Sequence, residues 1–270
     1  MKEKLLHIFA ALGLFTRLPF WRLWNVPADS YRYAAHHWMI AGGFAAALVA
    51  GVAMWALPYV PAMLFVLLVF VLNLFLTGAF HEDGLADFFD GFGGGHSRER
   101  ILEIMKDSHI GTYGVITLIL YSLLTCTCCY YWIDALQGTP GMALSFFLIY
   151  VMTAVWSRFL ASFIMILPYA RTAEGAKIKT VYTPWRWRNT LWNVFLAVLA
   201  QFAFEMLLPV SIPLIEVWLI MPALTVLVMV WQMNRKIQGY TGDCCGATVL
   251  LCELTMNITL VVLLWRGYTL

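Results

Sequence analysis

Four carboxylates, Glu82, Asp83, Asp87 and Asp90, fall within nine residues of the run His81-Glu82-Asp83-Gly84-Leu85-Ala86-Asp87-Phe88-Phe89-Asp90-Gly91, directly after an apolar block. Like charges at this density repel, and beside lipid they are costly to desolvate. A divalent cation relieves both penalties. Oxygen ligands suit Mg²⁺, which keeps several waters and bridges to substrate phosphates. The chemistry expected here is metal-dependent work on a phosphate at a membrane surface.

Asp83, Asp87 and Asp90 stand at i, i+4 and i+7, so an α-helix presents them on one face while Leu85, Ala86, Phe88 and Phe89 pack behind them. His81 borders the group and is the expected general base, with orientation of a carboxylate as its other reading. The turn Phe92-Gly93-Gly94-Gly95-His96 follows, and Ser97 is the expected N-cap of a short helix over Arg98 to Lys106. Such a hairpin could return Asp107 to the other three aspartates as a fourth metal ligand. Ser108 to Gly114 then leads into a further apolar segment. Gly111 and Gly114 suit a helix start whose N–H groups meet phosphate, and a packing turn is the plainer reading.

The elements that must position these groups are membrane helices. The chain is 62% hydrophobic and 12% charged, with a mean hydropathy of +0.78; a soluble domain carries roughly twice that charge. The apolar blocks are long enough to span a bilayer, and the short alternating segments of a membrane β-barrel are missing. The expected fold is all-α and polytopic, with about seven transmembrane helices near 34–57, 59–80, 111–133, 141–167, 191–209, 212–233 and 247–265. An N-terminal interfacial helix over Leu5, Leu6, Phe9 and Leu12 precedes them, ending near Pro19. With seven spans, nearly every loop lysine and arginine falls on one face, which predicts a cytoplasmic N-terminus and an active site facing the cytoplasm. The whole chain, 1–270, reads as one membrane-embedded catalytic domain, with 81–114 as its acidic segment. The six cysteines lack paired zinc spacing.

Further candidates bind substrate. Arg158 lies inside an apolar span, where an arginine is either functional or paired. Arg171 and Lys177 could meet a pyrophosphate, although the positive-inside rule also accounts for them. Asp243, opening the last span, is a second-tier metal or substrate ligand, or else a helix N-cap.

The runs H-E-D-G-L-A-D-F-F-D-G and R-E-R-I-L-E-I-M-K-D-S-H-I-G-T-Y-G resemble those of the cobalamin synthase family. Phe15-Thr16-Arg17-Leu18-Pro19 and Gly239-Tyr240-Thr241-Gly242-Asp243 extend the resemblance over nearly the whole chain. The resemblance implies an integral membrane adenosylcobinamide-GDP ribazoletransferase of bacterial or archaeal cytoplasmic membranes. It further implies Mg²⁺ as cofactor, α-ribazole or its 5′-phosphate as acceptor and GMP as leaving group. The expected partners are these substrates and membrane lipid, not nucleic acid; a homo-oligomer is left open. Asp83, Asp87, Asp90 and Asp107 carry over as the acidic motif, and Glu82 ranks lower. Two other readings compete. A CDP-alcohol phosphotransferase shares the start Asp83-Gly84-Leu85-Ala86 but has arginine where this chain has Asp87. A cation transporter would place carboxylates at the bilayer midplane.

Overall fold

The computed structural model describes residues 2–170, 187–208 and 211–269. The described residues form an all-α protein. Helix α1 spans Lys2–Phe15 and α2 Phe20–Leu23, and a 3₁₀ stretch over Ala28–His37 runs into α3, Trp38–Ala53. Then come α4 (Ala62–Thr77), α5 (Phe80–Gly94), α6 (Arg98–Ile104), α7 (Thr112–Leu136) and α8 (Met142–Ala161). The chain closes with α9 (Trp187–Leu207), α10 (Met221–Ile237) and α11 (Gly242–Trp265).

Six helical stretches among the described residues are long and apolar enough to cross a membrane: Ala28–Ala53, Thr112–Leu136, Met142–Ile166, Thr190–Leu207, Glu216–Ile237 and Gly242–Trp265. Counting α4 and α5 as one broken span makes seven. Their outer faces suit lipid. Leu67, Leu68, Val71 and Phe75 of α4 are exposed, as are Ile116, Ile119, Leu120 and Leu123 of α7. Apolar stripes of that size on a water-facing surface would drive aggregation. The protein is a polytopic α-helical membrane protein.

The second expected span, 59–80, departs from a straight crossing. Here α4 ends at Thr77, and α5 leaves at 89° to it. The corner is made by Gly78 (φ 69°) and Ala79 (φ 56°), both left-handed. Glycine adopts that conformation without strain, whereas alanine does so at a cost. Arg17 lies against the corner. Its N–H donates to Leu76 O at 2.7 Å, and its side chain occupies the space a Cβ on Gly78 would need.

The acidic run therefore sits on its own helix, turned 89° from α4 and packed against α11. Helix α5 crosses α11 at two glycines. A Cβ on Gly84 would come within 2.9 Å of Asp243 O, and one on Gly246 within 3.1 Å of His81 O. Small residues let the two backbones approach this closely in a setting where lipid supplies no hydrophobic drive.

Candidate active site

Asp83 and Asp87 project from successive turns of α5, Asp83 exposed and Asp87 at the edge of burial, 9% accessible. Asp243 is half-buried in the first turn of α11, where that helix meets α5 at Gly84. The N-cap itself is Thr241, whose side chain accepts from Cys244 N–H. Asp243 thus belongs to the turn that faces α5, and the capping role considered for it is filled two residues earlier.

Asp90 takes a different part from its two neighbours. It is buried, and both its oxygens are engaged: Gly111 N–H donates to Oδ2 at 2.7 Å and Gly114 N–H to Oδ1 at 2.8 Å. These amides begin α7, so a carboxylate lies where unsatisfied donors and the positive end of the helix dipole favour an anion. A Cβ on Gly111 would lie 2.5 Å from Asp90 Oδ1, and Gly114 is equally closed. The N–H groups expected to meet a substrate phosphate are thereby bonded to the protein's own carboxylate. Asp90 is a tie between α5 and α7.

The hairpin forms as the residues predict but does not gather all four aspartates. Ser97 accepts from Arg100 N–H and starts α6. Ile101 and Met105 bury against Gly91 and Gly95. Arg98 reaches across to Ile237 O and Ala170 O, both at 2.9 Å. Asp107 emerges exposed beyond α6, where its Oδ1 accepts from His109 N–H at 3.0 Å and lies 2.7 Å from His109 Nδ1. These two bonds, the backbone one foremost, hold its carboxyl below the usual carboxylate range. Ser108 beside it is also exposed.

His81 turns the other way. Two residues before Asp83, it lies about 200° round the helix, buried between Phe15 and Trp38 with ring centroids 6.3 and 6.0 Å away. Among the described residues its Nε2 has no hydrogen-bond partner. This places it behind the aspartate face, so the geometry expected of a base beside the carboxylates is not formed.

Arg158 is buried near the end of α8 and forms an ion pair with Glu253 of α11. Its Nη1 also donates to Ser157 Oγ at 3.1 Å, and Ser157 Oγ donates to Glu253 Oε1 at 3.2 Å. The sequence singled out the arginine but not its partner. In the structure Glu253 lies in the middle of α11. Opposite charges inside apolar spans seek each other, and that rule was the available signal. Arg171 and Lys177 lie outside the described residues.

Among the described residues, no three or more His, Cys, Asp or Glu side chains group to hold a metal. A closed protein cage is therefore not what α5 builds. Two carboxylates one turn apart match a different pattern, in which one or two aspartates hold Mg²⁺ and water and substrate phosphates complete its shell. The donor set fits such an ion at Asp83 and Asp87.

Comparison with known proteins decides the family. Residues 7–261 match the model of a family described as cobalamin-5-phosphate synthase. The chain belongs to that family. The match takes in all of α2 to α10, including the Asp83–Asp87 face of α5, and α11 as far as Val261. The adenosylcobinamide-GDP ribazoletransferase of Shewanella oneidensis is 34% identical over 258 residues, spanning 94% of this chain and 93% of its own length. Those of Shewanella putrefaciens and Shewanella baltica are 34% and 33% identical over 93% of this chain and 92% of their own lengths. No solved structure matches. As a cobalamin-5-phosphate synthase family member, the chain is a transferase serving a late step of cobalamin biosynthesis.

Proposed function

We propose that the chain is an adenosylcobinamide-GDP ribazoletransferase that works at the cytoplasmic face of the membrane. A ribazole 3′-hydroxyl attacks the phosphorus bearing the cobinamide side chain. A new oxygen–phosphorus bond forms, the bond to GMP breaks with its electron pair leaving on GMP, and the hydroxyl proton is released. The acceptor is α-ribazole or its 5′-phosphate. The observation that carries this reading is the Asp83–Asp87 face of α5, pressed at Gly84 against the turn that bears Asp243.

The chain's residues divide the work. Asp83 and Asp87 would hold Mg²⁺, which when bound would offset charge on the pyrophosphate and ease loss of the attacking hydroxyl's proton. Asp243 orients the acceptor. Asp90 fixes the direction of α5 by anchoring it to α7. Closely packed glycines keep the two acidic turns in register, so the reacting groups meet with little reorganisation. Arg171 and Lys177, which follow α8 in the chain, supply cations for the leaving nucleotide. A cytoplasmic N-terminus follows from the charge asymmetry of the loops.

The test is product analysis. The purified protein, given adenosylcobinamide-GDP and α-ribazole, should yield a corrinoid whose mass includes the ribazole. A protein that leaves the corrinoid unjoined yet transfers a CDP-linked alcohol would move the reading to the phosphotransferase alternative.

A further inference from the structure

Three distant stretches of chain meet at one junction. Tyr240 N–H donates to Pro168 O at 3.0 Å, and Ala170 N–H donates to Tyr240 O at 2.8 Å. The rings of Tyr169 and Tyr240 meet edge to face, with centroids 5.4 Å apart. Gly239 packs so closely here that a Cβ on it would overlap Pro168 O and crowd Ala170. Arg98, at the start of α6, closes the junction. Its Nε donates to Ile237 O and its Nη2 to Ala170 O, each at 2.9 Å. Ala170, Ile237 and Tyr240 are buried. Lys236 adds a second tie to the same hairpin, donating to Phe92 O at 2.7 Å.

Both carbonyls lead to site residues. Ile237 ends α10, where unpaired carbonyls and the negative end of the helix dipole favour a cation. Gln238 then turns left-handed (φ 51°), and Thr241 caps α11, whose first turn bears Asp243 against Gly84. Ala170 directly precedes Arg171. We propose that Arg98 is a positioning residue for the transfer reaction: its guanidinium holds the turn that bears Asp243 in place against α5 and fixes the point from which the chain runs on to Arg171.

The planar fork matters as much as the charge. Its N–H directions are fixed relative to one another, so it sets two carbonyls of separate segments in one geometry, which a flexible ammonium does not. Arg98 belongs to the hairpin that continues from α5, so both segments are held relative to the helix that carries Asp83 and Asp87. Misplacing reacting groups by about 1 Å can cost on the order of a hundredfold in rate. The link to transfer rests on the proposed reaction, whereas the junction does not.

The test compares Arg98→Ala, Arg98→Lys and Gly239→Ala with the unmodified full-length protein in nanodiscs, by steady-state GMP release and by hydrogen exchange. Each variant should lower kcat per folded molecule at least about tenfold, the least expected from one lost hydrogen bond to a charged group. The Mg²⁺ concentration for half-maximal rate should stay unchanged, because Asp83 and Asp87 are untouched. Amides of 168–170 and 238–244 should exchange at least about tenfold faster, and those of 83–90 should not change. Ethylguanidinium added to Arg98→Ala should restore rate saturably. Arg100→Ala, whose side chain pairs with Glu103 within α6, should match the unmodified protein in both assays. Should Arg98→Ala fail to fold, Arg98→Lys keeps the stem and charge and carries the test with Gly239→Ala. Faster exchange with unchanged kcat would make Arg98 a structural tie only. Lower kcat with unchanged exchange would mean that it does not act through the junction, and a shifted Mg²⁺ requirement would move its action to the acidic face. Each of these would overturn the proposal. An unmodified protein that joins no ribazole would count against the proposed reaction instead, and the exchange comparison would still decide whether Arg98 sets the junction.

Discussion

Replacing Asp90 should loosen the protein where replacing its neighbours should not. Asp90 accepts two backbone N–H groups, at 2.7 and 2.8 Å, from the first turn of α7. Hydrogen bonds to a charged group each contribute about 1.5–3 kcal/mol, and a carboxylate at a helix N-terminus adds up to about 2 kcal/mol in a partly buried setting. Asp90→Asn keeps one acceptor oxygen, points an NH₂ at the other N–H and removes the charge. A loss of about 2 kcal/mol in the local stability of the α5–α7 junction is a conservative sum of these effects, or about a thirtyfold rise in the opening equilibrium. Hydrogen exchange of peptides covering 108–116 reads that equilibrium directly. Exchange there should accelerate about thirtyfold in Asp90→Asn. It should do likewise in Gly114→Ala, which has no room for a Cβ beside the same carboxylate. Asp83→Asn and Asp87→Asn should leave it unchanged. Exchange in Asp90→Asn indistinguishable from the unmodified protein would refute the assignment of Asp90 as a structural tie.

Three further outcomes follow from the same geometry. Asp83→Asn and Asp87→Asn should each lower turnover at least about a hundredfold while leaving membrane insertion and the unfolding midpoint intact; near-normal turnover in both would remove the acidic face from the chemistry. Glu253→Gln leaves Arg158 buried without its counter-charge and should destabilise by about 3–5 kcal/mol, measured by thermal unfolding in detergent. The double variant Arg158→Met with Glu253→Leu should recover much of that loss, and a double variant as unstable as the single one would argue against the pair. Asp107 concerns pH. A carboxyl held low in the folded protein contributes its stabilisation fully above the ordinary carboxylate range and loses it as pH falls through the lowered value. Acidification should therefore loosen the turn at 107–109, seen as faster exchange, and Asp107→Asn should show that looseness at neutral pH with little further change in acid.

What the sequence conveys differs by the range of the interaction. The spacing of Asp83, Asp87 and Asp90 correctly announces a helix, and Ser97 correctly announces the start of α6, because both signals are local. The six unbroken spans among the described residues each begin or end within about four residues of an expected one, for the same reason. The corner at Gly78–Ala79 was harder to see. One glycine in an apolar run is common, and the residue that wedges against it, Arg17, is distant in the chain. Asp90 shows a different limit. Its charge and the glycines of the α7 start were both legible as candidate ligands, with a packing turn as the glycines' plainer reading; that they bond one another across more than twenty positions was not. His81 was placed by its neighbours in sequence, whereas helical rotation carries it to the opposite side, into the aromatic contact of Phe15 and Trp38. Arg158 and Glu253 pair over 95 residues, a separation no local pattern encodes.

The most direct measurement of the central claim is GMP release against product formation, titrated with Mg²⁺, in the unmodified protein and in Asp87→Asn. The account predicts one GMP for each ribazole joined, no release without the metal, and an Asp87→Asn protein that stays folded yet needs far more Mg²⁺ or fails to turn over. Metal-independent release, or an Asp87→Asn protein with an unchanged Mg²⁺ titration, would contradict it.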